Sequence, residues 1–180
     1  MSIFFNLSNL KSNYKLVTLF LLICFVCGLH FGSAYLFDST QLLKEDIFYY
    51  WKEGNILASG LNPYERIIGG DLRVNDKYPT CLPLFYILAA LLDKVGFNSF
   101  ESFLKIWRII NLLSHITIIL LIFKFFNSKG LGIQGIFASI VIGFSNTSVY
   151  IVKVQHLEFL SAALFLISIS YLFKRPSISG

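Results

Sequence analysis

Asp46 lies in the run LLKEDIFYYWKEGNILASGLNPY, residues 42–64, where Glu45, Asp46 and Glu53 are packed among aromatics and an Asn-Pro turn. Strongly apolar segments flank that run on both sides. A carboxylate held at a membrane surface can act as general base toward a sugar hydroxyl. It can equally be one more solvated acid on an interfacial helix. A second constellation stands in YIVKVQHLEFLSAALF, residues 150–165, where Gln155, His156 and Glu158 mark the hand-over from one apolar segment to the next. Ionisable groups at membrane depth cost about 2.5–3.5 kcal/mol on insertion scales and default to a functional reading. Glu158 also sits comfortably against the dipole of a helix start. His156 could be a proton donor or an interfacial histidine, and Lys153 is a cation that could hold a lipid phosphate.

Other chemistries find little to work with. Three scattered histidines and no Asp-x-Asp pair give zinc or magnesium no convincing ligand set. No glycine-rich phosphate loop is present, which argues against a nucleotide donor, and no cofactor is expected. Cys24-x-x-Cys27 has a redox spacing, but it falls inside an apolar helix where a thiol is inert. His30 and His115, each alone in an apolar helix, read as packing or interhelical hydrogen bonds.

The elements that must position these groups are membrane helices. The chain has 180 residues, 56% apolar and 14% charged, whereas soluble domains carry about 25% charged residues. Residues 16–37 hold no charge over 22 positions, and about 20 apolar residues suffice to cross a bilayer as a helix. Residues 106–126, 131–150 and 157–173 are comparable. The run at 81–92 is shorter, interrupted by Pro83 and ended by Asp93-Lys94, which suits a re-entrant or interfacial helix. The basic excess of +5 lies at segment ends rather than on a soluble face, so nucleic acid is not an expected partner.

The positive-inside rule chooses a topology. Lys11 and Lys15 precede the first helix and set a cytoplasmic N-terminus, with residues 38–80 outside. If 81–92 does not cross, Lys124, Lys129 and Lys174-Arg175 all fall inside, so four crossings are favoured over five. The expected fold is an all-α polytopic membrane protein with four or five transmembrane helices. It forms a single membrane domain over 1–180, in which 38–105 make a long outer-face loop carrying short interfacial and re-entrant helices. Seven of the ten acids fall in 38–80. Within that loop 46–58 reads as a helix, with Ile47, Tyr50 or Trp51 and Leu57 on one stripe and Asp46, Tyr49 or Tyr50, and Glu53 on another. Gly60 ends it and Asn62-Pro63 turns the chain.

The order of a first membrane helix, EDIFYYWKEGNILASGLNPY, KYPTCLPLFYILAALL and VQHLEFLSAALFLISISYLFKRP resembles the N-terminal part of the GT-C superfamily of polytopic glycosyltransferases. The nearest likeness is to bacterial mannosyltransferase-like members that use polyprenyl-phosphate sugars. The shared elements are Asp46, Tyr49-Tyr50, the Gly60-Leu61-Asn62-Pro63-Tyr64 turn, Tyr78-Pro79 with Pro83, and Gln155 followed by Glu158. The order and spacing carry the likeness, which spans about residues 16–176.

The resemblance implies inverting transfer of a hexose, such as mannose, from a polyprenyl-phosphate donor to a glycan or glycolipid hydroxyl, with Asp46 as catalytic base. It implies substrate contacts from Tyr49, Tyr50, Glu53, Tyr64, Gln155, His156 and Glu158, and phosphate contacts from Arg66 and Lys153. It also implies a place in a bacterial inner membrane. Members of that superfamily are much longer, so the expectation is an N-terminal portion, inactive alone, with a partner chain supplying further helices. The rival expectation is a non-enzymatic membrane subunit or transporter fragment whose outer loop docks a partner; a remnant without function is a third.

Overall fold

The computed structural model describes residues 7–69 and 83–172, and it is helical throughout with no strand among them. The helices are α1 (Leu7–Leu36), α2 (Asp46–Ala58), α3 (Glu65–Ile68), α4 (Pro83–Lys94), α5 (Phe100–Ser128), α6 (Gly132–Phe144), α7 (Asn146–Val154) and α8 (Glu158–Leu172). They divide into two compact units. The first takes the chain to Ser33, Ile110–Lys153 and from Leu157 onward; the second takes Ala34–Ile109 with Val154–His156.

In the first unit α1 is mostly apolar from Leu16 onward, on its exposed side as well as its buried one. Leu19, Leu22, Val26, His30 and Ser33 are buried at spacings of three and four, one helical face. Leu16, Phe20, Leu21, Phe25, Phe31 and Tyr35 remain exposed, which is how a helix meets lipid tails rather than water. Among lipid tails the hydrophobic effect no longer drives helix association, so close packing and interhelical hydrogen bonds carry it. Leu19, Leu22, Val26 and Ile119 form one packed cluster, and Ile118, Ile151, Val152, Phe159 and Ala163 form another. Gly135 lets α6 close on α5, since a Cβ there would stand 2.9 Å from the Cβ of Phe126.

Two helices are long and apolar enough to cross a membrane, Tyr14–Leu36 and Phe100–Ser128, or three when α6 and α7 count as one bent span. The expected segment 131–150 is therefore not continuous. α6 and α7 meet at 45°. The cause is the polar run Ser145-Asn146-Thr147-Ser148: Ser145 turns extended at ψ 150°, and its Oγ accepts the Ser148 N–H at 3.1 Å, capping a new helix. The Ser148 hydroxyl donates to the Ile142 carbonyl that the break releases. α8 has 15 described residues, about 22 Å at 1.5 Å per residue. α5 begins at Phe100, six residues ahead of the expected 106, because the Ser99 hydroxyl accepts the Ser102 N–H and caps it.

The second unit is built around α2 and α4, packed on each other. Ile47, Tyr50, Glu53 and Gly54 are buried on α2, and Phe85, Tyr86, Ala89 and Ala90 on α4. A Cβ on Gly54 would lie 2.4 Å from the Cβ of Ala89, so a glycine is what lets the helices touch. The expected helix at 46–58 forms with those bounds. Gly60, at φ 82°, closes it: its N–H donates to the Leu57 carbonyl, and the Leu61 N–H reaches Ile56 O at 3.1 Å. Asn62 then accepts the Tyr64 N–H on its side chain and starts α3. The run expected at 81–92 appears as α4, twelve residues beginning at Pro83. Tyr78-Pro79 and Cys81 lie outside the described residues.

Candidate functional site

The second unit brings Asp46 and His156 together. Asp46 opens α2, where the exposed N–H groups of the first turn favour a negative charge. His156 sits in the turn between α7 and α8. The two meet with His156 Nε2 at 3.1 Å from Asp46 Oδ2, and the side chains keep 20% and 34% of their exposure. The carboxylate is thus held by a ring nitrogen while solvent, or a substrate, can still reach the pair.

Gln155 sets the direction of that turn. It is 1% exposed and its φ is +58°, left-handed in a residue that is not glycine. Such a conformation costs roughly 1–3 kcal/mol and persists only where the surroundings impose it. Here Trp107, fully buried, donates its indole N–H to the Gln155 carbonyl at 2.9 Å. Trp107 in turn stacks on Phe103 with ring centres 5.5 Å apart. Phe48, the residue after Ile47, meets the edge of Phe100 at 5.2 Å and Trp51 at 5.5 Å, which anchors the start of α2 to the start of α5.

The other expected site residues divide. Tyr49 is half-buried with its edge to Phe48. Tyr50 and Glu53 are on the buried side of α2, with Glu53 only 1% exposed. The two stripes expected along α2 therefore merge at Tyr50, with Ile47 and Glu53 on one face. Tyr64 packs its ring against Tyr86 at 5.7 Å beside an apolar hollow of about 350 Å³, lined also by Leu57, Pro63, Pro83 and Ile87. Lys153 and Glu158 are exposed and belong to the first unit. The side chain of Arg66 lies outside the described residues.

Two polar features of the second unit come from other residues. Arg108 donates to the Phe37 carbonyl at the end of α1. Asp38 follows directly: its Oδ1 accepts the Thr40 hydroxyl at 2.7 Å and the Thr40 and Gln41 N–H groups, and the hydroxyl bond first of all holds its carboxyl below the ordinary range. Among the described residues no three His, Cys, Asp or Glu side chains converge as a metal site would require. Sequence reasoning missed Trp107. The available signal was a tryptophan in an aliphatic helix, since a buried indole N–H must find an acceptor.

Compared with protein-family models, with characterised proteins and with solved structures, the chain matches none.

Proposed function

We propose that this chain is a membrane glycosyltransferase of the GT-C type, or the N-terminal portion of one, moving a hexose from a polyprenyl-phosphate donor to an acceptor hydroxyl. The observation that supports the reading is the pair Asp46–His156 at 3.1 Å, half-open and mounted on a constrained turn. The reaction is one displacement. Asp46 takes the proton of the acceptor hydroxyl, the oxygen bonds to the anomeric carbon, and the bond from that carbon to the phosphate oxygen breaks on the opposite face. Polyprenyl phosphate leaves with the electron pair, balanced by a cation such as Arg66. His156 holds Oδ2 of Asp46 and keeps the carboxylate in one orientation. Tyr49 and Tyr64 contact the sugar.

The accompanying topology has four or five crossings, a cytoplasmic N-terminus and the site on the outer face of a bacterial inner membrane. Basic residues at Lys15, Lys124 and Lys129 support that orientation. The test is transfer from a radiolabelled polyprenyl-phosphate hexose by the full-length protein in membranes. Asp46→Asn should lower transfer by about 10²–10⁴, the usual contribution of a general base, with abundance and insertion unchanged. Undiminished transfer would remove Asp46 as base. A silent substitution together with a co-purifying partner would favour the docking-subunit reading instead.

A further inference from the structure

Residues 1–33 and 110–153 supply most of α1, the later part of α5 and the whole of α6 to the first unit, and they contain no Asp or Glu at all. The cations on those stretches therefore have no carboxylate there to pair with. Three of them lie where apolar spans stop: Lys15 at the start of Tyr14–Leu36, and Lys124 and Lys129 about the end of Phe100–Ser128. These span ends come together in the first unit. A Cβ on Gly132, the first residue of α6, would stand 2.6 Å from Lys15 Nζ and 2.8 Å from Asn127 Oδ1. Gly132 is buried, so the ammonium from α1 and the amide from α5 close over bare backbone where α6 begins. Lys129 holds its own ammonium 5.0 Å above the centre of the exposed Phe125 ring. The start of a helix is the positive end of its dipole, so α6 adds to this charge and does not offset it.

Cations gathered without a carboxylate call for an anion, and at the end of an apolar span the anion within reach is a lipid headgroup. We infer that Lys15, Asn127 and Lys129, grouped around Gly132, bind the phosphate of one anionic phospholipid. The Lys15 ammonium and the Asn127 amide donate to phosphate oxygens, and Lys129 adds charge at the rim. The acyl chains then run along the apolar surface that begins beside the cluster, at exposed Leu16 of α1 and Ile133 of α6. The glycine is what makes this a site rather than a scatter of flanking lysines, because any side chain at 132 would take the place of the Lys15 ammonium. The inference lies wholly in the first unit and does not rest on the transferase reading.

The experiment titrates the full chain in detergent with dioleoyl phosphatidylglycerol and reads lipid-bound against free protein by native mass spectrometry. One phosphatidylglycerol should bind at least about tenfold more tightly than dioleoyl phosphatidylcholine, and Lys15→Gln should weaken it roughly fivefold, the effect of one lysine at an anionic surface. Gly132→Ala is the sharper variant. It leaves every charge in place and suits a helix, but its methyl group displaces the Lys15 ammonium and the Asn127 amide, so affinity should fall by a similar factor. Lys105→Gln, which removes the same charge from the second unit, should leave binding within about twofold of the parent. Equal affinity for the two lipids, or full affinity in Lys15→Gln or Gly132→Ala, overturns the inference. So does an equal loss in Lys105→Gln, which would mean attraction by net charge alone. Displacement of the lipid by excess inorganic phosphate overturns it too, since the site would then be one for free anions. If Gly132→Ala fails to accumulate, Asn127→Ala must show the loss in its place.

Discussion

Trp107 decides more at the residue scale than its plain sequence setting suggests. Its N–H satisfies a buried carbonyl at a left-handed residue, and both ends of that bond are closed to water. Trp107→Phe keeps most of the ring and deletes the donor, leaving the Gln155 carbonyl without it at a cost of about 1–3 kcal/mol. The midpoint of denaturation in detergent should fall accordingly, and an unchanged midpoint would mean that the bond contributes nothing to holding the turn. Asp46 and His156 were each legible in the sequence as polar residues out of place among apolar ones. The charge pattern puts both on the outer side, where they are expected to meet, but it does not pair these two side chains. Periodicity relates residues within one helix, and nothing in a pattern of hydropathy says which loop a distant turn will meet. Glu53 is the opposite case: its spacing placed it on the α2 face with Tyr50, but only the packed structure shows that this face is buried.

Among the elements, α2 was the most readable. Its apolar spacing is regular, Gly60 closes it and Asn62 begins the next turn, so local chemistry alone fixed Asp46–Ala58. The break between α6 and α7 was harder, because the four polar residues 145–148 are few enough for a hydropathy average to pass over them. Capping by Ser145 is a matter of hydrogen-bond geometry, which averaging does not see. The α2–α4 contact yields a sharp expectation. Gly54→Ala would place a methyl carbon 2.4 Å from the Ala89 Cβ, and overpacking of that kind costs roughly 1–3 kcal/mol. Reduced abundance and a lower thermal midpoint should follow, with partial recovery on adding Ala89→Gly. A fully stable Gly54→Ala protein would show that α2 and α4 do not meet there.

For the molecule as a whole, the class was plain from composition: helices throughout the described residues, with two or three able to span. The number of crossings rests on the charge pattern, which can be tested by accessibility. Cysteines introduced at the exposed positions Asn127 and Lys153 should behave oppositely toward an impermeant thiol reagent added from outside intact cells, with 127 protected and 153 labelled. Equal labelling would reverse or abolish the proposed orientation. The central claim is that Asp46 and His156 act as one unit in sugar transfer, and a double-mutant cycle on the transfer rate tests it most directly. Asp46→Asn should lower the rate by about 10²–10⁴, His156→Gln should lower it as well, and the double variant should be no slower than the worse single one, as for groups that work together. Losses that multiply in the double variant, or a single variant that transfers at the parent rate, would contradict the account.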